Sequence, residues 1–333
     1  MYSSVQPLME SPVRVGLIGT GYAAKLRAEA LQKDDRAHLV AVSDRRQDKT
    51  EAFARDFECN AMSQPKELVK REDIDLVVIS NVNSEHGALV GAALAHGKHV
   101  VVEYPLCLDV GEAEELIALA KIQKKLLHVE HIELLGGLHN CLKEYLPQMG
   151  EVFYARYSTV NPQNPSPRKW TYNHELFGFP LMGALSRLHR LIDLFGEVLT
   201  VNCHNRFWQT EEDFYQTCFL SSQVNFTSGL LAQLVYGKGE TIWQPERKFE
   251  IHGEHFGIVI DGDKGILIKK DETIPIELPP RKGLFAKDTQ MVLDHLFQGT
   301  PLYVTPQQSL YTLKVADAAR RSASMGITIV VDG

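Results

Sequence analysis

The sequence predicts an α/β N-terminal domain built on a doubly wound parallel sheet, followed by an α+β domain with a large antiparallel sheet. Three observations carry this. Strand-like and helix-like segments alternate over roughly the first 130 residues, the pattern of parallel strands joined by helical crossovers. Beyond that point β-rich segments follow one another with few helices between them. The chain has 333 residues, more than one ordinary core accommodates. The expected domains are therefore 1–130 and 131–333.

Val13–Ile18 is a short apolar run ending at Gly19 and reads as a buried strand. Residues 22–32 are helical in character, and 38–42 form a second strand. Residues 74–80 give a third, with the near-continuous apolar run that a sheet covered on both faces needs. A helix over 85–95 ends at Gly97. A strand follows over 98–103, then an Ala-, Leu- and Glu-rich helix over 110–125 and a strand over 126–129. In the second half a helix is expected over 134–146 and another over 182–195. Strands are expected over 152–160, 198–208, 214–220, 230–236, 248–251, 258–260 and 265–268. Asp261-Gly262-Asp263 is a hairpin signal between the last two. Pro306–Met325 reads as a helix and 328–331 as a closing strand. The Pro-rich stretch 161–167 reads as a loop of the kind that contacts ligands.

Composition narrows the function classes. Hydrophobic residues make up 44% and charged residues 23%, as in a folded globular protein. A formal net charge of -7 gives no global attraction for nucleic acid or an anionic membrane. No apolar run approaches the roughly 20 residues that span a bilayer. Residues 1–12 lack the basic and apolar regions of a signal peptide and read as a disordered lead-in. The five cysteines are scattered and form no C-x-x-C pair, so a reducing, cytoplasmic setting is expected.

The sharpest motif is Gly19-Thr20-Gly21-Tyr22-Ala23-Ala24, G-x-G-x-x-A placed between a strand and a helix. The first glycine permits a tight turn, the second lets a pyrophosphate approach the backbone, and the small Ala24 lets helix and strand pack closely. The helix N-terminus offers free N–H groups to the phosphates. The motif marks a dinucleotide-binding Rossmann domain, with Gly19, Gly21, Tyr22 and Ala24 at the cofactor. The second strand ends in Ser43-Asp44-Arg45-Arg46. Asp44 stands where a carboxylate takes the ribose hydroxyls of NAD, whereas Ser43, Arg45 and Arg46 suit a 2′-phosphate. NADPH is the expected cofactor, with NADH the alternative.

Further motifs extend the reading. Asn81-Val82-Asn83-Ser84-Glu85-His86 follows the third strand, and Gly97-Lys98-His99-Val100 leads to Glu103-Tyr104-Pro105. With the glycine fingerprint, these resemble the glucose–fructose oxidoreductase and inositol dehydrogenase family along essentially the whole chain. The resemblance implies a Rossmann domain followed by a large open antiparallel sheet, with Asn83, His86 and Glu103 at the cofactor. The typical member carries a catalytic lysine where this chain has Tyr104. An Asp–His pair in the family spacing is absent from residues 178–190. Without the lysine, a sugar or polyol dehydrogenase lacks the group that handles the hydroxyl proton.

These departures resemble the biliverdin reductase branch of the family. The resemblance rests on Glu103-Tyr104-Pro105, on Leu127-His128-Val129-Glu130-His131-Ile132-Glu133-Leu134-Leu135, and on Gly178-Phe179-Pro180 followed by Ser186-Arg187-Leu188. The animal enzymes of that branch have Ser-Arg-Arg at the stretch matching 43–46, so Asp44 is a departure. The implied reaction reduces a flat tetrapyrrole with two propionates at its central methine carbon and protonates a pyrrole nitrogen. Arg187, Tyr104 and Glu103 are the expected catalytic residues. Tyr104, Glu130, Arg187, Arg190 and Trp170 are expected at the substrate, Arg187 and Arg190 falling on nearly one helix face. Arg168, Lys169, Arg206, Lys238 and Arg247 form a wider pool of cations for the propionates. Phe207, Trp208, Tyr236 and Trp243 are a pool of flat surfaces. His128, Glu130, His131 and Glu133 lack a metal-ligand spacing, and no metal is expected. The expected partner is a small tetrapyrrole, with no nucleic acid and no membrane, and the chain a monomer or weak homo-oligomer. A sugar or cyclitol dehydrogenase and a non-catalytic NAD(P)-sensing regulator are the competing readings.

Overall fold

The structure, a computed structural model, describes residues 12–331, so the lead-in expected over 1–12 lies outside the described residues except for Pro12. The chain forms two compact units, Met1–Leu135 with Lys282–Leu310, and Gly136–Arg281 with Tyr311–Gly333.

The first unit runs β1 (Val13–Ile18), α1 (Tyr22–Leu31), β2 (Ala37–Ser43), α2 (Gln47–Asp56), β3 (Asn60–Met62), α3 (Pro65–Leu68), β4 (Leu76–Ile79), α4 (His86–Ala95), β5 (His99–Val102), α5 (Val110–Gln123) and β6 (Leu127–Val129). Its six strands lie in the order β3-β2-β1-β4-β5-β6, with every pair parallel. β4 and β5 are buried at every position because helices cover both faces, which explains their unbroken apolar sequence. Asp109 caps α5 by accepting a hydrogen bond from the Glu112 N–H at 2.8 Å. The sequence order reverses between β1 and β4, the place where open α/β sheets bind ligands at their carboxyl ends.

The second unit contains α6 (Gly137–Tyr145), β7 (Val152–Pro162), α7 (His174–Phe177), α8 (Pro180–Gly183), α9 (Leu185–Phe195), β8 (Val198–Glu211), β9 (Phe214–Phe226), β10 (Leu231–Gly239), β11 (Glu246–Gly253), β12 (Gly257–Asp261), β13 (Lys264–Ile268) and β14 (Thr273–Ile276). The expected hairpin joins β12 to β13, with Gly262 at a φ of 59° that L residues rarely adopt.

The chain next forms α10 (Leu284–Gln298), which belongs to the first unit, whereas the sequence reading gave 131–333 wholly to the second. Val292, Leu293 and Leu296 of α10 share a core with Ala28 and Leu31 of α1, and the Tyr22 and Phe285 rings meet edge to face at 6.3 Å. The unit boundary then falls within α11 (Pro306–Met325), and β15 (Ile329–Val330) ends the description.

The large sheet has nine strands in the order β14-β13-β12-β11-β7-β10-β9-β8-β15. Its pairs are antiparallel apart from β7 with β10, which is parallel, so the sheet is mixed. α9 lies over the β7–β10 region. It buries Leu185, Leu188 and Leu191, and the Arg190 guanidinium donates to the Tyr157 hydroxyl of β7 at 2.8 Å. Burying those three leucines contributes roughly 1.5–3 kcal/mol each.

Candidate active site

The glycine turn has the geometry the fingerprint requires. Gly19 sits at a φ of 113°, and a Cβ there would lie 2.3 Å from the Ser80 carbonyl oxygen. Gly21 precedes α1 in extended conformation, and a Cβ on it would meet nothing within 4 Å, so the space above the turn is open. α1 has neither a side-chain cap nor an acidic residue in its first turn, leaving its N-terminal N–H groups for an anion. Ala24 is buried against the sheet. The residues present therefore fit a dinucleotide pyrophosphate.

Asp44 accepts from the Thr20 backbone N–H at 2.9 Å and from its hydroxyl at 3.0 Å, and also from the Arg46 N–H at 3.1 Å. The carboxylate thereby fixes the fingerprint loop to the end of β2. Arg45 pairs with Glu85 at 3.5 Å and Arg46 with Asp48 at 2.6 Å. Both are exposed surface pairs, worth little individually and free to exchange partners. Ser43 differs from expectation: it is fully buried at the strand end, so its hydroxyl is not presented to a ribose phosphate.

Past β4, Asn83 is buried, and His86 Nδ1–H donates to the Pro105 carbonyl at 2.7 Å. Burial lowers the pKa of His86, which favours its neutral form. Its role is to anchor the loop that carries Glu103 and Tyr104. The Tyr104 ring stacks on His131 with centroids 5.6 Å apart and planes 9° from parallel.

Glu103 and Glu130 stand one residue beyond the paired ends of β5 and β6, where Val102 faces Val129. Glu130 is 1% exposed. Burial, and then the neighbouring Glu103, raise its pKa well above the usual carboxylate range, and the two side chains are hydrogen-bonded. Like charges this close disfavour ionising both carboxyls, which shifts Glu130 toward its protonated form.

Beneath this pair lies a network that the sequence did not announce. Arg27 of α1 is buried, with its Nε donating to Glu103 at 3.1 Å and its Nη1 to Asp288 and Thr289 of α10. Asp288 also bonds His128 Nε2 at 2.8 Å and accepts from the Tyr303 hydroxyl at 2.7 Å. That hydroxyl in turn accepts from the His131 N–H at 3.0 Å, while His131 Nε2 bonds the Ser309 hydroxyl at 3.0 Å. His128, Glu130 and His131 thus each face a different side-chain partner, Asp288, Glu103 and Ser309. Asp288 is 261 residues from Arg27, so no local spacing could link them.

In the second unit, the Arg187 guanidinium lies 5.6 Å from the Tyr236 ring centroid and donates to the Ser186 hydroxyl at 3.2 Å. Arg190 shares its helix face, as the i, i+3 spacing predicts, but is 2% exposed and held by Tyr157. Its place is therefore in the packing of α9 on the sheet, a correction to its expected contact with substrate. Half-buried Trp170 and Phe207 pack on a cluster of Tyr172, Phe177, Tyr215 and Tyr236. Arg168 is taken by Glu211 and Glu212 and lies over Phe214. Trp208 and Trp243 are exposed, with Arg206 over Trp208 at 5.3 Å. Among the described residues no helix is long and apolar enough to cross a membrane.

Comparison with known proteins identifies the family. A family profile described as an oxidoreductase family with an NAD-binding Rossmann fold covers residues 13–131, and its companion C-terminal alpha/beta domain covers 143–331. The chain belongs to this family, that of glucose–fructose oxidoreductase and inositol dehydrogenase. Within it, the chain is similar to biliverdin reductase from Synechocystis sp. PCC 6803, solved in complex with biliverdin and NADP+. The likeness is 45% identity over 94% of this chain and 100% of that one, with a TM-score of 0.93. Over 137 residues it is 32% identical to human biliverdin reductase A, covering 41% of this chain and 43% of that protein. Over 153 residues it is 33% identical to dTDP-3,4-didehydro-2,6-dideoxy-alpha-D-glucose 3-reductase of Saccharopolyspora spinosa, 46% of each. The match thus spans less than half the length of these two curated relatives.

Proposed function

We propose that this chain reduces biliverdin to bilirubin, with NADPH as the preferred donor and NADH as the alternative. The observation that carries the reading is the 45% identity, over 94% of the chain, to an enzyme solved with biliverdin and NADP+. The site residues support it, because Tyr104 replaces the lysine that hydroxyl oxidation needs.

Bound NADPH supplies a hydride for the central methine carbon of the pigment. The chain's tasks are orientation, charge and the proton. Gly19, Gly21 and the α1 N-terminus hold the pyrophosphate. Glu103 and Tyr104 would hold the nicotinamide end of the cofactor, and Glu130, pushed toward its protonated form beside Glu103, would keep a proton close by. Arg187 holds the pyrrole system and orients a proton-bearing water toward the pyrrole nitrogen. A guanidinium has a pKa above about 12 and is a poor direct donor. Trp170 offers a flat wall to the pigment.

Absorbance of the purified protein with biliverdin and each nucleotide tests the reading. Loss of the red biliverdin band with growth of a blue-absorbing bilirubin band is expected. No change with either nucleotide over a broad pH range overturns it.

Cofactor choice provides a second test. Arg45→Ala together with Arg46→Ala is expected to raise the KM for NADPH by roughly tenfold to a hundredfold, the worth of one charge-assisted contact. The KM for NADH should move by less than about twofold, since NADH carries no 2′-phosphate. Steady-state kinetics with both nucleotides measures this, and equal effects on the two would refute the assignment.

A further inference from the structure

Lys238 of β10 is a buried cation with no carboxylate beside it. It is 7% exposed. Its ammonium lies 3.7 Å from the Phe177 ring centroid, 4.9 Å from that of Tyr172, 5.6 Å from Tyr215 and 6.0 Å from Tyr236. One N–H goes to the Thr171 carbonyl. Among the described residues no carboxylate pairs with it, and the strongest cationic influences on it, Arg187 and Lys169, share its sign. Burial lowers its pKa to about 8, with the neighbouring Cys218 opposing the shift and Arg187 and Lys169 adding to it, so it remains charged at neutral pH.

Aromatic faces attract a cation but do not neutralise it. A buried charge is ordinarily matched by an opposite one, and here no carboxylate among the described residues does so, the neighbouring Cys218 being a buried thiol with a raised pKa. Tyr236 links the two principal cations, since Lys238 and Arg187 both approach its ring. Half-buried Trp170 and Phe207 pack on the same aromatic cluster, offering flat surfaces next to the positive field.

We propose that Lys238 and Arg187 form an anion subsite that takes a propionate carboxylate of the substrate. The inference rests on the bilin reading above and deepens it. The two propionates are borne on the ring carbons that flank the central methine. A carboxylate held at Arg187 therefore brings the carbon to be reduced within a few bonds of the same guanidinium. Arg187 makes the contact, and Lys238 sets the potential from beneath, acting through a dry interior where charge is weakly screened.

The test compares biliverdin with its dimethyl ester, which has the same chromophore without the carboxylates. Kd and KM are measured for both pigments in the wild type, in Lys238→Met and in Lys238→Arg. The wild type is expected to prefer the diacid by roughly tenfold or more, the scale of one desolvated charge contact. Lys238→Met should reduce that preference by roughly tenfold, and Lys238→Arg should restore most of it. If Lys238→Met does not fold, Lys238→Gln carries the same reading. A preference that survives the loss of the ammonium overturns the proposal, as does equal weakening toward both pigments, which would mark a packing role. A wild type that reduces neither pigment instead removes the bilin reading itself.

Discussion

Arg187→Ala is expected to lower kcat for biliverdin by roughly a hundredfold to a thousandfold, the loss that follows removal of one preorganised charge from a reacting centre. The guanidinium is held from two sides, by the Tyr236 ring and by the Ser186 hydroxyl, so it meets a substrate already oriented. That preorganisation should show in kcat more than in nucleotide binding, because the cofactor fingerprint belongs to the other unit. Arg187→Lys keeps the charge but loses the planar fork and should recover only part of the rate. The fold should survive either change, since Arg187 is half-buried and the leucines of its helix carry the packing. Single-turnover reduction at saturating NADPH reads the effect directly. Full turnover in Arg187→Ala would remove this residue from the mechanism even if the reaction itself stood.

The second large effect is on stability. Asp288→Ala should destabilise the first unit by about 3–5 kcal/mol, because it leaves the Arg27 charge buried with its principal partner gone. Burial on its own would raise the Asp288 pKa, but the Arg27 charge and the bonds from His128 and Tyr303 prevail and hold it well below the usual carboxylate range. A carboxyl with a depressed native pKa stabilises the fold fully above its unfolded value. That contribution disappears as pH falls below about 4. The wild type should therefore lose more stability than Asp288→Ala between about pH 4 and pH 2. Thermal melts at several pH values check this, with a drop in Tm on the order of 10 °C expected at neutral pH. A drop of only a degree or two would mean that Glu103 alone suffices for Arg27.

Particular residues explain what the sequence disclosed and what it withheld. The β1–turn–α1–β2 unit was legible because two glycines and a small alanine are each required by a local constraint. β4 and β5 were legible because a strand covered on both faces admits only apolar residues. α2 was not, since only Thr50, Phe53 and Ala54 of its ten residues are buried and its apolar stripe is faint. α10 was obscured for a related reason: Asp288 and Thr289 occupy buried positions where an apolar stripe would be expected. The parallel pairing of β7 with β10 has no local signature, because alternation marks a strand but not its neighbour. At the site, Arg187 and the Glu103–Tyr104 pair were reached through motif resemblance. Arg190 was singled out in sequence as a substrate contact and Lys238 only as one of a pool of cations, and the burial and the rings that surround each of them have no local signature.

The return of α10 to the first unit bears on how this protein can be made. A fragment stopping after β6 would contain the whole cofactor fingerprint, yet it would lack both Asp288 and the apolar edge formed by Val292, Leu293 and Leu296. Arg27 would then have to be buried without that counter-charge or remain in water. On the ribosome, Arg27 and the α1 core meet their partners on α10 only after α10 has emerged, by which time the strands β7 to β14 are already outside. Synthesis therefore brings out the first unit's opening segment early and its closing segment late.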